Sequence, residues 1–349
     1  MIPGCPRTVH DRRRGSAYRW ALLACCCLAA STASCTELML APYRDDASVE
    51  NHHYALGERY LEVNGMRLCY VEQGRGDNVI ILPGLGTSIE FWQLNVPKLA
   101  ENYHVVALDP PGSGLSDKPD ASYDLLWICD QVLAFMDAKD MPRASFVGGS
   151  MGGHLALLIA LRHPERVDKL VLMGSSGAWP RPGILLTAAL VVLWNDAVVT
   201  DHMRRTWPDT YGKIFAQQTP MTRDLLRYQM AVRADGRRFA PEGRALSRSL
   251  QSIFWHSCRD ELGRLKQPTL LIWGEGDRIH LRDEAICFRD SVPDSRLVVV
   301  PGAAHEVMVD QPETFNRLVL TFLKEGTSAV ADNPQRGENG QVANSGAAK

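Results

Sequence analysis

The stretch Ala144-Ser-Phe-Val-Gly-Gly-Ser-Met-Gly-Gly153 decides the fold of this chain. It begins as a short apolar run of the kind found in buried strands, and a helical pattern follows over Met151–Leu161. Between them, Gly148-x-Ser150-x-Gly152 has the spacing of a strand-to-helix turn that raises one serine above a sheet. Side chains two positions before and after the serine would clash in such a turn, which explains the glycines. The segment therefore predicts a strand, a sharp turn and a helix, with Ser150 as a candidate nucleophile.

Alternating strand and helix patterns continue on both sides of this segment. Asn64-Gly65 predicts a tight hairpin turn between the first two strands. The predicted strands are Tyr60–Val63, Met66–Val71, Val79–Leu82, His104–Leu108, Ala144–Val147, Lys169–Met173, Thr269–Trp273 and Arg296–Val300. The predicted helices are Phe91–Glu101, Tyr123–Ala138, Met151–Leu161 and Pro312–Leu323. Such alternation predicts an α/β fold with a mostly parallel central sheet and helices on both faces.

The other segments differ from this alternating core. Residues 178–265 contain helical patterns without a clear strand, which predicts a helical cap inserted between two core segments, 54–177 and 266–325. Residues 326–349 are too polar to bury a core, which predicts a disordered tail. Residues 35–53 are polar and irregular, which predicts a tether.

Residues 1–34 predict a signal peptide for export. A basic region with Arg12, Arg13, Arg14 and Arg19 comes before an apolar run, Trp20–Ala30. This run is too short to span a bilayer as a mature helix, and small residues follow it. The segment resembles a bacterial lipoprotein signal, which implies cleavage before Cys35 and lipidation of its thiol. Thr32 departs from that family, which usually has leucine there. Plain export with cleavage near Ser34 and an uncleaved anchor are the alternatives.

Lipidation would make the protein an exported, membrane-anchored lipoprotein that faces the periplasm or the exterior. Each buried methylene of an acyl chain contributes about 0.8 kcal/mol to membrane binding, so the anchor would hold the body at the membrane surface without spanning it. The membrane surface is therefore an expected partner. The oligomeric state is left open by the sequence.

Composition and charge exclude several classes of protein. The chain has 349 residues, of which 45% are hydrophobic and 22% are charged, so it is neither disordered overall nor a disulfide scaffold. The net charge is −2 and there is no basic stripe, so no nucleic-acid partner is expected. The four cysteines after the predicted tether lack the spacing of a zinc site, and their disulfide pairing stays open. They are Cys69, Cys129, Cys258 and Cys287.

Two later motifs supply the partners that a serine nucleophile needs. A serine hydroxyl requires a base within hydrogen-bond reach and a carboxylate that orients the base. Gly274-Glu-Gly-Asp277 follows the seventh predicted strand, and Pro301-Gly-Ala-Ala-His305 follows the eighth. Ligands bind at the carboxyl ends of the strands in open parallel sheets. We therefore predict Asp277 as the acid and His305 as the base. Glu275 competes with Asp277, and an ordinary surface histidine is the alternative interpretation of His305.

An oxyanion hole is predicted from backbone groups. Pro83-Gly84-Leu85-Gly86 follows the third predicted strand, and the N–H of Leu85 is positioned there to face a reacting carbonyl. Met151 supplies a second N–H at the N-terminus of its helix. Gly84 belongs to the oxyanion loop, whereas Gly148 and Gly152 belong to the turn around Ser150. The alternative interpretation of residues 83–86 is a simple turn. This chemistry requires no metal and no organic cofactor.

Five motifs together resemble the α/β-hydrolase superfamily, over about residues 55–325. They are Pro83-Gly84, Asp109-Pro-Pro-Gly-Ser-Gly114, Gly148-Gly-Ser-Met-Gly152, Gly274-Glu-Gly-Asp277 and Gly302-Ala-Ala-His305. The resemblance implies the α/β-hydrolase fold, with Ser150, Asp277 and His305 as nucleophile, acid and base. It extends to carboxylesterases, to small lipases and to bacterial C–C bond hydrolases of aromatic-ring degradation.

Three departures bear on the choice of reaction. Pro83 stands where histidine usually precedes the oxyanion glycine. Gly149 stands where C–C hydrolases often have asparagine, and Glu306 where they often have an aromatic residue. These departures weaken the C–C interpretation. Export to a membrane and the mostly apolar run at 183–199 favour a small-molecule ester with an apolar or lipid-like acyl group.

The expected function is therefore a serine hydrolase of carboxylic esters. The alternatives are a C–C bond hydrolase of ring-fission dienone acids and a catalytically slow ligand-binding member of the same fold. Other polar residues receive structural roles. Asp109 is expected to organise its loop, and His154 to be packed on the helix after Ser150. His280 is expected on a loop surface, and a position lining the pocket near Asp277 is the alternative.

Overall fold

The computed structural model describes residues 56–180, 194–234 and 236–333. The predicted signal peptide, the lipidation site at Cys35 and the tether lie outside the described residues. So does most of the apolar run at 183–199.

An eight-stranded sheet forms the centre of the protein. Its strands are β1 (Arg59–Val63), β2 (Met66–Gln73), β3 (Asn78–Leu82), β4 (His104–Leu108), β5 (Ala144–Gly149), β6 (Val167–Met173), β7 (Thr269–Gly274) and β8 (Ser295–Val300). Their order across the sheet is β1-β2-β4-β3-β5-β6-β7-β8. β2 runs antiparallel to both of its neighbours, β1 and β4, and all pairs from β4 to β8 are parallel. The predicted mostly parallel sheet is confirmed, and the predicted hairpin turn at Asn64-Gly65 joins β1 to β2.

Helices cover both faces of this sheet. The described α-helices are α1 (Val96–Leu99), α2 (Leu125–Ala138), α3 (Met151–Arg162), α4 (Asp196–Ile214), α5 (Pro220–Ala234), α6 (Gly236–Trp255), α7 (Arg282–Ser291), α8 (Val307–Asp310) and α9 (Pro312–Glu325). Alternate residues of a strand point to opposite faces. Phe146 of β5 accordingly packs in the core cluster that contains residues of α2 and α3, whereas Val147 packs in the cluster that contains residues of α9.

Among the described residues between β6 and β7, where the cap is predicted, there are three α-helices, α4, α5 and α6. The cap is tied to the core by polar contacts. Ser252 of α6 accepts a hydrogen bond from the N–H of Leu125 (2.8 Å), and Arg248 pairs with Asp120 (2.6 Å). None of the helices in the described residues combines the length and the apolar character that crossing a bilayer requires.

The predicted helix Phe91–Glu101 is wrong. The chain instead forms a 3₁₀ turn at Ile89–Trp92 and the short helix α1. Pro97 lies at the start of α1, and proline is tolerated only in the first turn of a helix because it has no N–H and its ring clashes with the preceding turn. A helix that continued from Phe91 through this position would be broken.

The tail is ordered further than its composition suggests. A 3₁₀ turn forms at Thr327–Ala329, and the residues after it run beside the edge strand β8. Asp332 accepts a hydrogen bond from the N–H of Leu297 (2.9 Å), and Asn333 accepts one from Val299 (2.8 Å). Polar side chains thus accept hydrogen bonds from N–H groups at the edge of the sheet. The predicted start of disorder at residue 326 is therefore wrong for residues 327–333. The rest of the tail lies outside the described residues.

Candidate active site

Ser150 lies at the turn between β5 and α3 in a strained backbone conformation. Its φ is 50° and its ψ is −116°, a region that residues with side chains rarely adopt. Its N–H donates to the carbonyl of Met173 at the end of β6 (2.9 Å). A Cβ on Gly148 would lie 2.4 Å from the carbonyl carbon of Gly152, and one on Gly152 would lie 2.0 Å from the carbonyl oxygen of Leu82. Close backbone approach therefore requires both glycines.

His305 and Asp277 form a buried hydrogen-bonded pair in the loops after β8 and β7. The distance from His305 Nδ1 to Asp277 Oδ2 is 2.9 Å, and the two residues are 4% and 8% exposed. The other oxygen of Asp277 accepts from the N–H of Ile279 (2.8 Å) and of His280 (3.0 Å). Because the carboxylate accepts at Nδ1, the proton of a neutral His305 lies on that nitrogen and Nε2 is left as the basic atom.

Burial and charge act in opposite directions on this pair. Burial lowers the pKa of His305, but the Asp277 carboxylate and its hydrogen bond, helped by the charges of Glu306 and Glu284, outweigh burial and raise that pKa above its usual 6.5. Burial raises the pKa of Asp277, but the charge and hydrogen bond of His305, together with the charge and N–H of His280, outweigh burial, so that the net shift is downward. Asp277 therefore stays ionised at neutral pH.

The candidate side chains follow the carboxyl ends of β5, β7 and β8, at one edge of the sheet. Gly174 marks this point, since a Cβ on it would lie 3.1 Å from both Asp277 Oδ2 and His305 Nδ1. The residue before it is Met173, whose carbonyl holds the N–H of Ser150. The hydrogen bonds of the described residues do not include one between the Ser150 hydroxyl and His305. In hydrolases without substrate this contact is often long, and it tightens when substrate binds.

The loop after β3 passes directly beside the serine. A Cβ on Gly84 would lie 3.1 Å from the Cβ of Ser150. The hydroxyl and the N–H of Thr87 both donate to the carbonyl of Gly84 (3.1 and 3.2 Å), which closes a tight turn. In the part of the chain that the structure describes, the N–H groups of Leu85 and Met151 donate to no acceptor. Two unengaged backbone donors beside a serine are what an oxyanion hole requires.

Helix α4 of the cap contacts this loop. The hydroxyl of the buried Tyr211 donates to the carbonyl of Gly86, the last residue of the predicted oxyanion loop. The side chain of Leu85 packs against a small apolar cluster of the cap, formed by Met203, Phe239 and Leu246. The cap and the oxyanion loop are thus in direct contact.

Two titratable residues, His280 and Glu306, are buried at the site. His280 is predicted on a loop surface, and this prediction is wrong because the residue is only 4% exposed and its ring centroid lies 5.4 Å from that of His305. A signal was present in the sequence, since Glu284 follows four residues later, at the spacing of a helical side-chain pair. Glu306 is also 4% exposed, and burial raises its pKa to about 7.

Two other polar residues have the structural roles that the sequence predicts. Asp109 accepts hydrogen bonds from the N–H of Ile89 (2.9 Å) and of Leu115 (3.0 Å), and so organises the loop after β4. His154 is fully buried on α3, with Nε2 2.7 Å from the carbonyl of His256. Across the described ranges, no group of three or more His, Cys, Asp or Glu side chains is arranged to hold a metal ion.

Known proteins with similar sequences include hydrolases of two kinds. The chain is 30% identical over 280 residues to a 2-hydroxymuconate semialdehyde hydrolase of Pseudomonas sp. (strain CF600), which covers 78% of this chain and 95% of that protein. It is 29% identical over 258 residues to a pimeloyl-[acyl-carrier protein] methyl ester esterase of Aeromonas hydrophila, which covers 72% of this chain and 96% of that protein. The relatives therefore include both C–C bond hydrolases and esterases.

Solved structures agree on the fold. The crystal structure of a membrane phospholipase A, described as a bacterial virulence factor, is similar with a TM-score of 0.64 and 29% identity. The match covers 88% of this chain and 98% of that one. The family model for the alpha/beta hydrolase fold matches residues 77–312. Together with the sheet order and the serine turn between β5 and α3, this match shows that the chain belongs to the α/β-hydrolase family.

Proposed function

We propose that this protein is a serine hydrolase that cleaves carboxylic esters, with an apolar or lipid-like acyl group. One observation carries the proposal: the strained Ser150 lies at the same edge of the sheet as the buried His305–Asp277 pair. A strained backbone costs about 1–3 kcal/mol, and burying an ionised carboxylate is also costly, and catalysis gives a reason for both costs at one place.

The mechanism follows from the geometry of these groups. Nε2 of His305 takes the hydroxyl proton as Ser150 Oγ attacks the ester carbonyl, and Asp277 stabilises the imidazolium that forms. The N–H groups of Leu85 and Met151 hydrogen-bond the tetrahedral oxyanion, each contributing about 10²–10³ in rate. His305 then gives its proton to the leaving alcohol. Water, deprotonated by the same imidazole, attacks the acyl-enzyme and releases the acid.

Charge near the base favours an uncharged acyl group. Glu306 is buried directly after His305, and its ionised form would repel a negatively charged dienone acid. Such an acid would need a cationic partner, but in the cap Arg204 and Arg205 both pair with Asp201 of their own helix (3.3 and 2.7 Å). The similarity to a membrane phospholipase A over most of both chains also supports a lipid-like ester.

The proposal includes export and a lipid anchor at Cys35. The support is the basic, apolar and small-residue order of residues 1–35. An anchored enzyme would meet lipid-like esters at the membrane surface. Metabolic labelling with a radioactive fatty acid tests the anchor: the wild type should incorporate label, and the Cys35→Ser variant should not. Label retained by that variant would contradict lipidation at this residue.

A C–C bond hydrolase is the second candidate, because the semialdehyde hydrolase matches 95% of its own length. A substrate panel distinguishes the two candidates. We expect turnover of p-nitrophenyl esters, increasing with acyl length and with added detergent interface, and little turnover of a ring-fission dienone acid. Faster cleavage of the dienone would make the second candidate the correct one.

Ser150→Ala tests the nucleophile itself. This variant should lose p-nitrophenyl ester turnover and labelling by a fluorophosphonate, while its thermal unfolding stays cooperative. Ser122→Ala, which changes an exposed serine, is the matched control and should behave as the wild type. Retained turnover in Ser150→Ala would refute the assignment. A folded wild type that resists fluorophosphonate would instead favour a slow ligand-binding protein.

A further inference from the structure

A second imidazole–carboxylate pair lies beside the first. His280 Nδ1 is 2.9 Å from Glu284 Oε2, and the two side chains are 5% and 17% exposed. Glu284 belongs to the first turn of α7, four residues after His280. Because the carboxylate accepts, the proton of His280 lies on Nδ1. This arrangement repeats the one between Asp277 and His305.

The ring of His280 is held on several sides. It packs against the ring of His305, with centroids 5.4 Å apart and an angle of 34° between the planes. Trp179 contacts it edge-on, at 5.1 Å and 70°. Its main chain is fixed as well, since its carbonyl accepts from the indole N–H of Trp273 (2.8 Å) and its N–H donates to Asp277 (3.0 Å). His280 thus touches both partners of the first pair.

We propose that His280, held by Glu284, is a positioning residue for the general base. Its ring fixes the plane of the His305 imidazole so that Nε2 faces Ser150, and the Glu284 carboxylate stabilises the proton that His305 carries between the two halves of the reaction. This inference rests on the proposed serine-hydrolase function.

Packing alone does not require this pair. An apolar side chain at position 280 would fill the same space without the desolvation cost of two ionisable groups. The carboxylate has a second effect, because the charge of Glu284 contributes to the raised pKa of His305. An imidazolium formed during catalysis is therefore stabilised by this residue as well as by Asp277.

Other titratable groups surround the two rings and bear on the pH dependence. Burial lowers the pKa of His154 to about 3, so this residue stays neutral. Glu306 changes charge near neutrality, because burial raises its pKa to about 7. The groups that interact with the two rings from the adjacent loops and helices are Asp277, Glu284, Glu306 and His154, and Asp310 interacts in turn with Glu306. Of these groups, Asp277 accepts a hydrogen bond from the imidazole of His305, and Glu284 accepts one from the imidazole of His280.

Glu284→Gln isolates the charge, because the amide oxygen still accepts from His280. The pH profile of kcat/KM rises as His305 loses its proton. Without the carboxylate, we expect the midpoint of this profile to move to lower pH by about half a unit, with little change in its plateau. Asp283→Asn removes an exposed carboxylate from the same helical turn and should leave the midpoint in place.

His280→Ala and His280→Phe isolate the ring. His280→Ala should lower the plateau kcat and the rate of fluorophosphonate labelling about tenfold, with KM little changed. His280→Phe restores an aromatic ring against His305 and, combined with Glu284→Gln, should recover most of the loss. If His280 and Glu284 had only a structural role, their variants would have a lower thermal stability. The pH midpoint and the labelling rate of the folded variants would then equal those of the wild type.

The outcomes separate this inference from the proposed function. Loss of labelling in Ser150→Ala supports the hydrolase proposal. With that result in hand, the positioning role is wrong if Glu284→Gln has the same pH midpoint as Asp283→Asn. It is also wrong if folded His280→Ala keeps the wild-type kcat. If Ser150→Ala keeps its activity, the proposed function itself fails. Both the midpoint shift and the recovery by the aromatic variant are required for the inference to hold.

Discussion

Asp277→Asn removes the charge that stabilises the imidazolium while it preserves the size of the side chain. The two atoms of the bond are 2.9 Å apart, and at an effective dielectric of about 20 their attraction is about 6 kcal/mol. Desolvation of both groups offsets part of this attraction. We therefore expect the transition state to lose about 4–5.5 kcal/mol, which lowers kcat by about 10³–10⁴. The asparagine can also donate to Nδ1, which would place the proton of His305 on the wrong nitrogen.

The same variant should change the pH dependence in a defined direction. In the wild type the pKa of His305 is raised, so activity falls as the pH drops through that raised value. Without the carboxylate, burial becomes the dominant effect and lowers the pKa of His305. The midpoint of kcat/KM should therefore move to lower pH, even though the plateau is much lower.

The loss of folding stability caused by Asp277→Asn should also depend on pH. The raised pKa of His305 contributes stability that is full below about 6.5 and is lost as the pH rises through the folded value. The lowered pKa of Asp277 contributes stability that is present above about 3.8 and is lost as the pH falls through the folded value. Asp277→Asn should therefore destabilise the protein most between about pH 4 and 6.5.

The assay is hydrolysis of a p-nitrophenyl ester from pH 5 to 10, together with urea unfolding at pH 5.5 and pH 9. Asp283→Asn, which removes an exposed carboxylate, serves as the control. A folded Asp277→Asn protein whose kcat stays within tenfold of the wild type would refute the assigned role of Asp277. A midpoint that moves to higher pH would refute the electrostatic argument.

Three further predictions concern neighbouring groups. Gly152→Ala should lower the free energy of unfolding by about 1–3 kcal/mol in urea, because its Cβ would meet backbone oxygen rather than a movable side chain; a wild-type midpoint and slope would contradict this. Tyr211→Phe should lower kcat about 2- to 10-fold with KM nearly unchanged, because the carbonyl of Gly86 loses its donor; an effect on KM alone would show that the contact does not position the oxyanion loop. Glu306→Gln should lower KM for an ester with a terminal carboxylate at pH 8, where the wild-type residue is ionised, and have less effect at pH 6; equal effects at both pH values would show that its charge is not felt by the substrate.

The serine turn could be predicted because its constraints are local. Gly148 and Gly152 are dictated by contacts within a few residues of Ser150 and with the adjacent strand β3, so their spacing is visible in the sequence. Asp277 and His305 could be placed near each other for a topological reason, since both follow strands that end at one edge of a parallel sheet.

Burial of a loop residue is harder to predict, because it depends on distant partners. His280 lies inside the protein because Trp179, from the segment after β6, and Trp273 of β7 enclose it. The nearby Glu284 indicates a paired side chain, but it does not reveal the two tryptophans, which lie far away in the sequence. The ordering of residues 327–333 has a similar origin, since Asp332 and Asn333 look like tail residues until the N–H groups of β8 are considered.

The contacts of α4 imply that substrate choice and catalysis are coupled in this protein. The end of this helix reaches the base loop, where the N–H of Glu306 donates to the carbonyl of Ile214 (3.0 Å). Its Tyr211 reaches the oxyanion loop at the carbonyl of Gly86. A cap that only enclosed the acyl chain could shift without disturbing the reacting groups, whereas this helix touches both the loop that holds His305 and the loop that holds Leu85. Substitutions along α4 that change acyl preference should therefore change kcat together with KM.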